Sequence, residues 1–155
     1  MRFLLLLFLH VICTTTTFSQ NLTKVEIDSY MKEIENNIFP KYSYEIFEGF
    51  YRQRNQLYLF QKPYSGSVVR NKESKIVLIN EIFGNYRKAY KCYYVNETPV
   101  YILFYKKKKD HKIKLSEIYY LNNEYVETIN HRKNLKDNLI KYARTLFENN
   151  KGTSN

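Results

Sequence analysis

Few side chains in this sequence are of types and spacings that could do chemistry. His111 sits in a lysine-rich stretch and His131 just before the last periodic apolar segment, and neither has a His-x-x-x-His partner. A zinc-type site needs three or four convergent imidazole, thiolate or carboxylate ligands, and no such cluster appears in the pattern. The chain has four glycines, and they form neither a Gly-rich phosphate loop nor a Gly-x-Ser-x-Gly elbow. Glu81 and Glu117 stand on strand-like segments, and paired carboxylates can run acid–base chemistry. Cross-strand pairing with lysine, or a wet-face position, explains them more simply. Cys92 reads as a small, strand-borne apolar side chain rather than a reactive thiol or an intermolecular bridge. The sequence therefore predicts no catalytic residue, no metal and no cofactor.

The densest charge is cationic: Lys106, Lys107, Lys108, Lys109, Lys112 and Lys114 crowd one short stretch. The net charge of +10 falls almost wholly beyond residue 61. Three readings compete. The plainest is compositional: Lys, Asn, Ile, Tyr and Phe abound and Trp is absent, as an AT-rich genome would produce. The lysines would then only solvate a turn and blunt a strand edge. The second is contact with an anionic envelope component, lipid headgroup or acidic polymer, or with a protein partner. A lysine near an anionic membrane surface is worth about 1 kcal/mol. The third is nucleic acid, bound by phosphate contacts and stacking on interleaved tyrosines. Residues Arg87 to Tyr94 are loosely similar to an RRM aromatic motif, but lack its glycine and the βαββαβ order. Export, argued below, weighs against that reading. A different possibility is a carrier whose apolar ligand lies among Tyr90, Tyr94, Tyr101 and Phe104; filling of the core is the simpler account of these rings.

The elements that would position these groups can be read from periodicity. Thr23-Lys24-Val25-Glu26 is a capping-box pattern, and Ile27, Tyr30/Met31, Ile34 and Ile38 then recur at helical spacing. Asn36-Asn37 and Pro40 should stop that helix, which would cover one face of a sheet. Residues 41–54 carry both strand and helix spacing and are read as extended. Gln56 to Gln61 predicts a strand, Pro63 to Gly66 a turn, and Lys75 to Ile82 another strand. From Tyr86 to Ile129 the chain reads as antiparallel strands joined by tight turns. Tyr86 to Val95 alternates with neither face purely apolar, which suits a sheet with one face packed and one wet. Asn96 to Pro99 turns, and Val100 to Tyr105 is aromatic and β-branched enough for a central, buried strand. Lys114 to Leu121 returns, Asn122-Asn123 turns, and Tyr125 to Ile129 closes the set. Tyr93-Tyr94-Val95-Asn96 recurs 26 residues later as Tyr119-Tyr120-Leu121-Asn122, as two strand–turn–strand units would require. Asn134 can cap a last helix to about Glu148, with Leu135, Leu139, Tyr142/Ala143 and Leu146 on one face. Asn149 to Asn155 would be a frayed tail.

Glu81-Ile82-Phe83-Gly84, Tyr93-Tyr94-Val95, Phe104-Tyr105 and Glu117-Ile118-Tyr119-Tyr120-Leu121 together resemble a pattern in uncharacterised small exported proteins of Bacteroidota-type bacteria. The resemblance covers residues 75–129 and departs after Leu121, where Asn122-Asn123-Glu124 replaces a Gly-Lys-Leu turn. It implies an antiparallel sheet and export, and it carries no catalytic residues.

Met1-Arg2 followed by an apolar run from Phe3 to Ile12 has the form of a signal peptide, too short to span a hydrocarbon core of about 30 Å. The small-x-small pattern Thr17-Phe18-Ser19 predicts a signal over residues 1–19 with the mature chain beginning at Gln20. Lipidation at Cys13 is the alternative, though Ile12 is too large for a lipobox. The chain would then be periplasmic or extracellular, without a transmembrane span. Residues 20–155 suit a single domain. The fold expected is α+β: an antiparallel β-meander sheet of about five to seven strands, with an N-terminal and a C-terminal helix packed on one of its faces.

Overall fold

In the computed structural model, the residues described are 22–51, 62–83, 88–108, 111–130 and 135–152. The signal segment, the strand expected at Gln56 to Gln61, Lys109, His131, Asn134 and residues 153–155 lie outside them. Helix α1, Lys24–Lys41, starts with the capping box: the Thr23 N–H donates to Glu26 Oε2 at 2.7 Å, and Thr23 Oγ1 accepts from the Glu26 N–H at 3.3 Å. Its apolar stripe buries Ile27 and Ile34 and half-buries Tyr30, Met31 and Ile38. The stop expected at Asn36-Asn37 is a kink instead. Asn37 leaves helical geometry (φ −121°, ψ 16°) and its side chain donates to Glu33 O at 2.8 Å. Helical turn resumes through Pro40, whose missing N–H falls where the first turn after a break has no partner to offer.

Seven strands follow: β1 Ser43–Tyr51, β2 Lys62–Arg70, β3 Ile76–Phe83, β4 Lys88–Val95, β5 Thr98–Lys108, β6 His111–Leu121 and β7 Glu124–Asn130. Their order in the sheet is their order in the chain, and every neighbouring pair is antiparallel, so the sheet is a meander. The turns explain why. Asn96-Glu97 and Asn122-Asn123 both hold left-handed backbone, with φ of 47° and 67° and of 50° and 66°. Two successive left-handed residues make the hairpin whose twist matches that of its strands. The 26-residue recurrence is thus the same hairpin built twice. At 71–75, Asn71 Oδ1 accepts from the Glu73 and Lys75 N–H groups, both at 3.0 Å.

The ambiguous lead-in is extended as far as Tyr51, but Pro63 to Gly66 is not a turn: it lies inside β2. Gly66 is there because a neighbour needs the space. A Cβ at that position would overlap the Phe47 ring and come within 2.7 Å of Asn80 O. Glycine in a strand often marks such a close approach.

Helix α2, Lys136–Lys151, also runs further than expected; Asn149 to Lys151 are helical rather than frayed. Arg70 Nη2 donates to Asn150 O at 2.6 Å, and Lys151 pairs with Glu97 at 3.0 Å, so its last turn is tied to the sheet.

The two helices do not share a face. Ile27 and Ile34 of α1 pack with Val69, Leu78, Tyr93, Tyr101 and Tyr119. Leu139, Ala143, Leu146 and Phe147 of α2 pack with Val68, Ile79, Cys92, Tyr94, Ile102 and Ile118. Side chains adjacent along a strand point to opposite faces, so the sheet is covered on both. The expectation of one packed and one wet face fails because β2 to β6 carry apolar residues in both registers. Substituting Gly66 by Ala is expected to cost about 2–3 kcal/mol in urea unfolding, the upper range for forcing atoms into a packed site. A loss under about 0.5 kcal/mol, the size of an ordinary surface substitution, would mean that Phe47 does not lie on that glycine.

Candidate functional site

The basic residues stand at the β5–β6 hairpin. Among the described residues β4 pairs with β5 only as far as Lys88↔Lys106, and β6 with β7 as far as Ser116↔Asn130. Beyond those positions the pairing described is that of β5 with β6, and this stretch of the hairpin is called the arm. Directly opposed residues share a face of such a ladder. One face therefore carries Lys88, Lys106, Ile113, Lys108 and His111; the other carries Tyr105, Lys114, Lys107 and Lys112. Lys112 Nζ lies 5.5 Å from the centre of the Tyr105 ring, confirming that second grouping.

Two of these pairings, Lys88↔Lys106 and Lys107↔Lys112, set like charges opposite one another, an arrangement that costs stability. Lys88, Lys106, Lys107, Lys108 and Lys112 form no ion pair among the described residues. Lys114 differs. Its ammonium donates to Glu117 Oε1 at 2.5 Å, so the residue grouped with the other lysines by sequence is already neutralised at the root of the arm.

Glu117 is buried at that root. Tyr101 donates to its Oε1 at 2.8 Å and Thr128 Oγ1 to its Oε2 at 2.9 Å. Burial works against its charge, but Lys114, Tyr101 and Thr128 outweigh it and hold the carboxyl below its usual range. Glu81 is its opposite. Burial among Phe83, Tyr90 and Tyr142 pushes its carboxyl up, and a hydrogen bond from the Tyr142 hydroxyl only partly offsets this. The two acids also face opposite ways. Glu81 meets Tyr142 of α2, whereas Glu117 meets Tyr101 on the α1 side, so they cannot act on one substrate as a pair.

The four rings named as a possible ligand lining do not converge. Tyr90 and Phe104 stack with centroids 4.6 Å apart on the α2 side, and Tyr94 lies on the same side, donating to Ala143 O at 2.8 Å. Tyr101 belongs to the α1 side, where it donates to Glu117. A cleft of about 620 Å³ is bordered by Tyr94 together with Arg70, Lys75, Glu97 and Lys151, and one of about 460 Å³ by Tyr101 with Lys91 and Lys112. Cys92 is fully buried, its thiol pushed up to about 12 chiefly by desolvation, which suits packing rather than reactivity.

Sequence reasoning missed Arg70 and Lys88. Arg70 is buried, with Nε 3.3 Å from Glu45, Nη1 donating to Ser74 O and Nη2 to Asn150 O. Nothing local marks it, because its partners come from β1, the 71–75 turn and α2. Lys88 joins the arm only through strand register. No protein-family model, curated protein or solved structure matches the chain.

The opposite environments of the two acids give opposite pH signatures. Glu117, with its folded value depressed, contributes stability above the ordinary carboxylate value that is lost as pH falls through the folded one. Glu81, with its folded value raised, contributes below the ordinary value and loses that contribution as pH rises through the folded one. Glu117→Gln is expected to cost about 2 kcal/mol at pH 7 and much less near pH 3. Glu81→Gln is expected to raise the melting temperature at pH 7–8 and leave it unchanged below about pH 4. Melting curves across pH check both; the same pH trend in the two variants would contradict these assignments.

Proposed function

We propose that the protein is an exported, non-catalytic binding protein whose β5–β6 arm contacts an anionic component of the cell envelope. The observation that carries this reading is the arm itself. With the end of β4 it sets lysine opposite lysine at Lys88↔Lys106 and, further out, at Lys107↔Lys112, and these lysines form no ion pairs among the described residues. Strand pairing gains nothing from that repulsion, whereas an anion bound across the lysines relieves it. Export is supported by Met1-Arg2, the apolar run to Ile12 and the small-x-small pattern ending at Ser19. In an exported protein the anions at hand are lipid headgroups and acidic polymers, which makes nucleic acid the less fitting partner. No helix among the described residues is long and apolar enough to cross a membrane. The attraction would act over about 8 Å at physiological ionic strength.

Replacing Lys106, Lys107, Lys108, Lys109, Lys112 and Lys114 together by Gln is expected to weaken binding to envelope fractions or anionic vesicles at least tenfold. Raising the salt concentration should weaken the wild type in the same way. Unchanged binding by a folded variant, checked by circular dichroism, rules the role out. Mass spectrometry of the N-terminus in the native cell tests export: a chain beginning at Gln20 is expected, and an intact Met1 in the cytosol overturns it.

A further inference from the structure

Ile113 interrupts the lysine face. It is opposite Lys106, and Lys88 and Lys108 occupy the neighbouring positions on the same face, yet its side chain is 43% exposed. A lone exposed apolar residue is common on protein surfaces and needs no explanation by itself. The surroundings of this one set it apart. Leu115, two residues along and on the same face, is half-buried against the α2-side core, so Ile113 continues an apolar stripe outward along the arm. Across the ladder it faces Lys106, with Lys88 and Lys108 beside that lysine on the same face, while along β6 its neighbours on the face are Leu115 and His111.

An apolar side chain continuing an apolar stripe and bordered across the ladder by long cations matches the interface of an anionic bilayer. The lysine ammonium groups can stay at the phosphates while their methylene stems and the Ile113 side chain lie among the first acyl carbons. A soluble polyanion would use the lysines and gain nothing from Ile113. We infer that the anionic component contacted by the arm is a lipid bilayer, and that the Lys88–Lys106–Lys108 face docks on it by inserting Ile113. This inference rests on the anionic-partner reading above and adds the class of partner. The rings on the opposite face fit the same orientation: Tyr105 is covered by Lys112, so the apolar contact is left to the Ile113 side.

The chain contains no tryptophan, so Ile113→Trp places a single indole at the point of contact. Titrated with vesicles of phosphatidylcholine and phosphatidylglycerol, this variant is expected to show a blue-shifted emission that brominated lipid quenches. Vesicles of phosphatidylcholine alone should leave it unshifted. Ile113→Ser is expected to weaken binding to the anionic vesicles roughly tenfold, as loss of a partly buried aliphatic side chain implies. Its binding to soluble polyphosphate should equal that of the wild type. No shift and no quenching on anionic vesicles, with polyphosphate still bound through the lysines, overturns lipid insertion and leaves the anionic-partner reading standing. Equal vesicle binding by wild type and Ile113→Ser overturns it too. Loss of neither vesicle nor polyphosphate binding in the six-lysine variant removes the anionic-partner reading and this inference together.

Discussion

Two adjacent tyrosines on β4 hold the three layers together. Tyr93 points to the α1 side, where its hydroxyl donates to Glu35 at 2.6 Å, and Tyr94 points to the α2 side, where its hydroxyl donates to Ala143 O at 2.8 Å. The carbonyl of Tyr94 accepts from Tyr30 of α1 at 2.7 Å, so one residue of the sheet is bonded to both helices. Both rings are buried, and a buried hydroxyl left without a partner costs about 1–3 kcal/mol. The helices therefore have defined positions along β4 as well as apolar faces to bury. The second copy of the hairpin repeats part of this device: Tyr119 donates to Asp28 of α1 at 2.9 Å, while the Tyr120 ring packs against Tyr125.

Covering both faces decides what the remaining polar groups can do. Glu81 and Glu117 are each drawn into a layer of core and given tyrosine donors, but from opposite sides of the sheet. One is held in its charged form by a lysine; the other is pushed toward its neutral form by aromatic surroundings. Each acts on the packing of its own layer. Arg70 works similarly across elements, joining the edge strand β1, the 71–75 turn and the end of α2 through one buried guanidinium.

The arm is where this economy of pairing stops. At the root of the arm Lys114 has a carboxylate partner, and nearer the tip Lys107 faces Lys112. Positive charge is thus concentrated at the hairpin end of β5 and β6. The polar and aromatic groups inside the layers account for the fold, whereas Lys106, Lys107, Lys108 and Lys112 of the arm form no ion pair among the described residues.

Much of the architecture was legible in the residues. Local signals marked the capping box at Thr23, the hairpins at Asn96 and Asn122, the apolar stripes of both helices and the buried strand from Val100 to Tyr105, because each depends on neighbours a few positions away. The misjudged segments depended on distant ones. Pro63 to Gly66 looked like a turn until Phe47 was found to occupy the space above Gly66. Asn149 to Lys151 looked like a tail because Arg70 and Glu97 are remote in sequence. The lysine cluster was visible as composition, but its division into two faces, the neutralisation of Lys114 and the addition of Lys88 followed from register. By itself, then, the sequence determined the element types, the meander-forming turns and the site of excess charge, since short-range backbone preference and periodicity encode them. Tertiary structure alone decided that the helices take opposite faces and that Glu81 and Glu117 never meet, because sheet register and long-range packing assign each side chain its face.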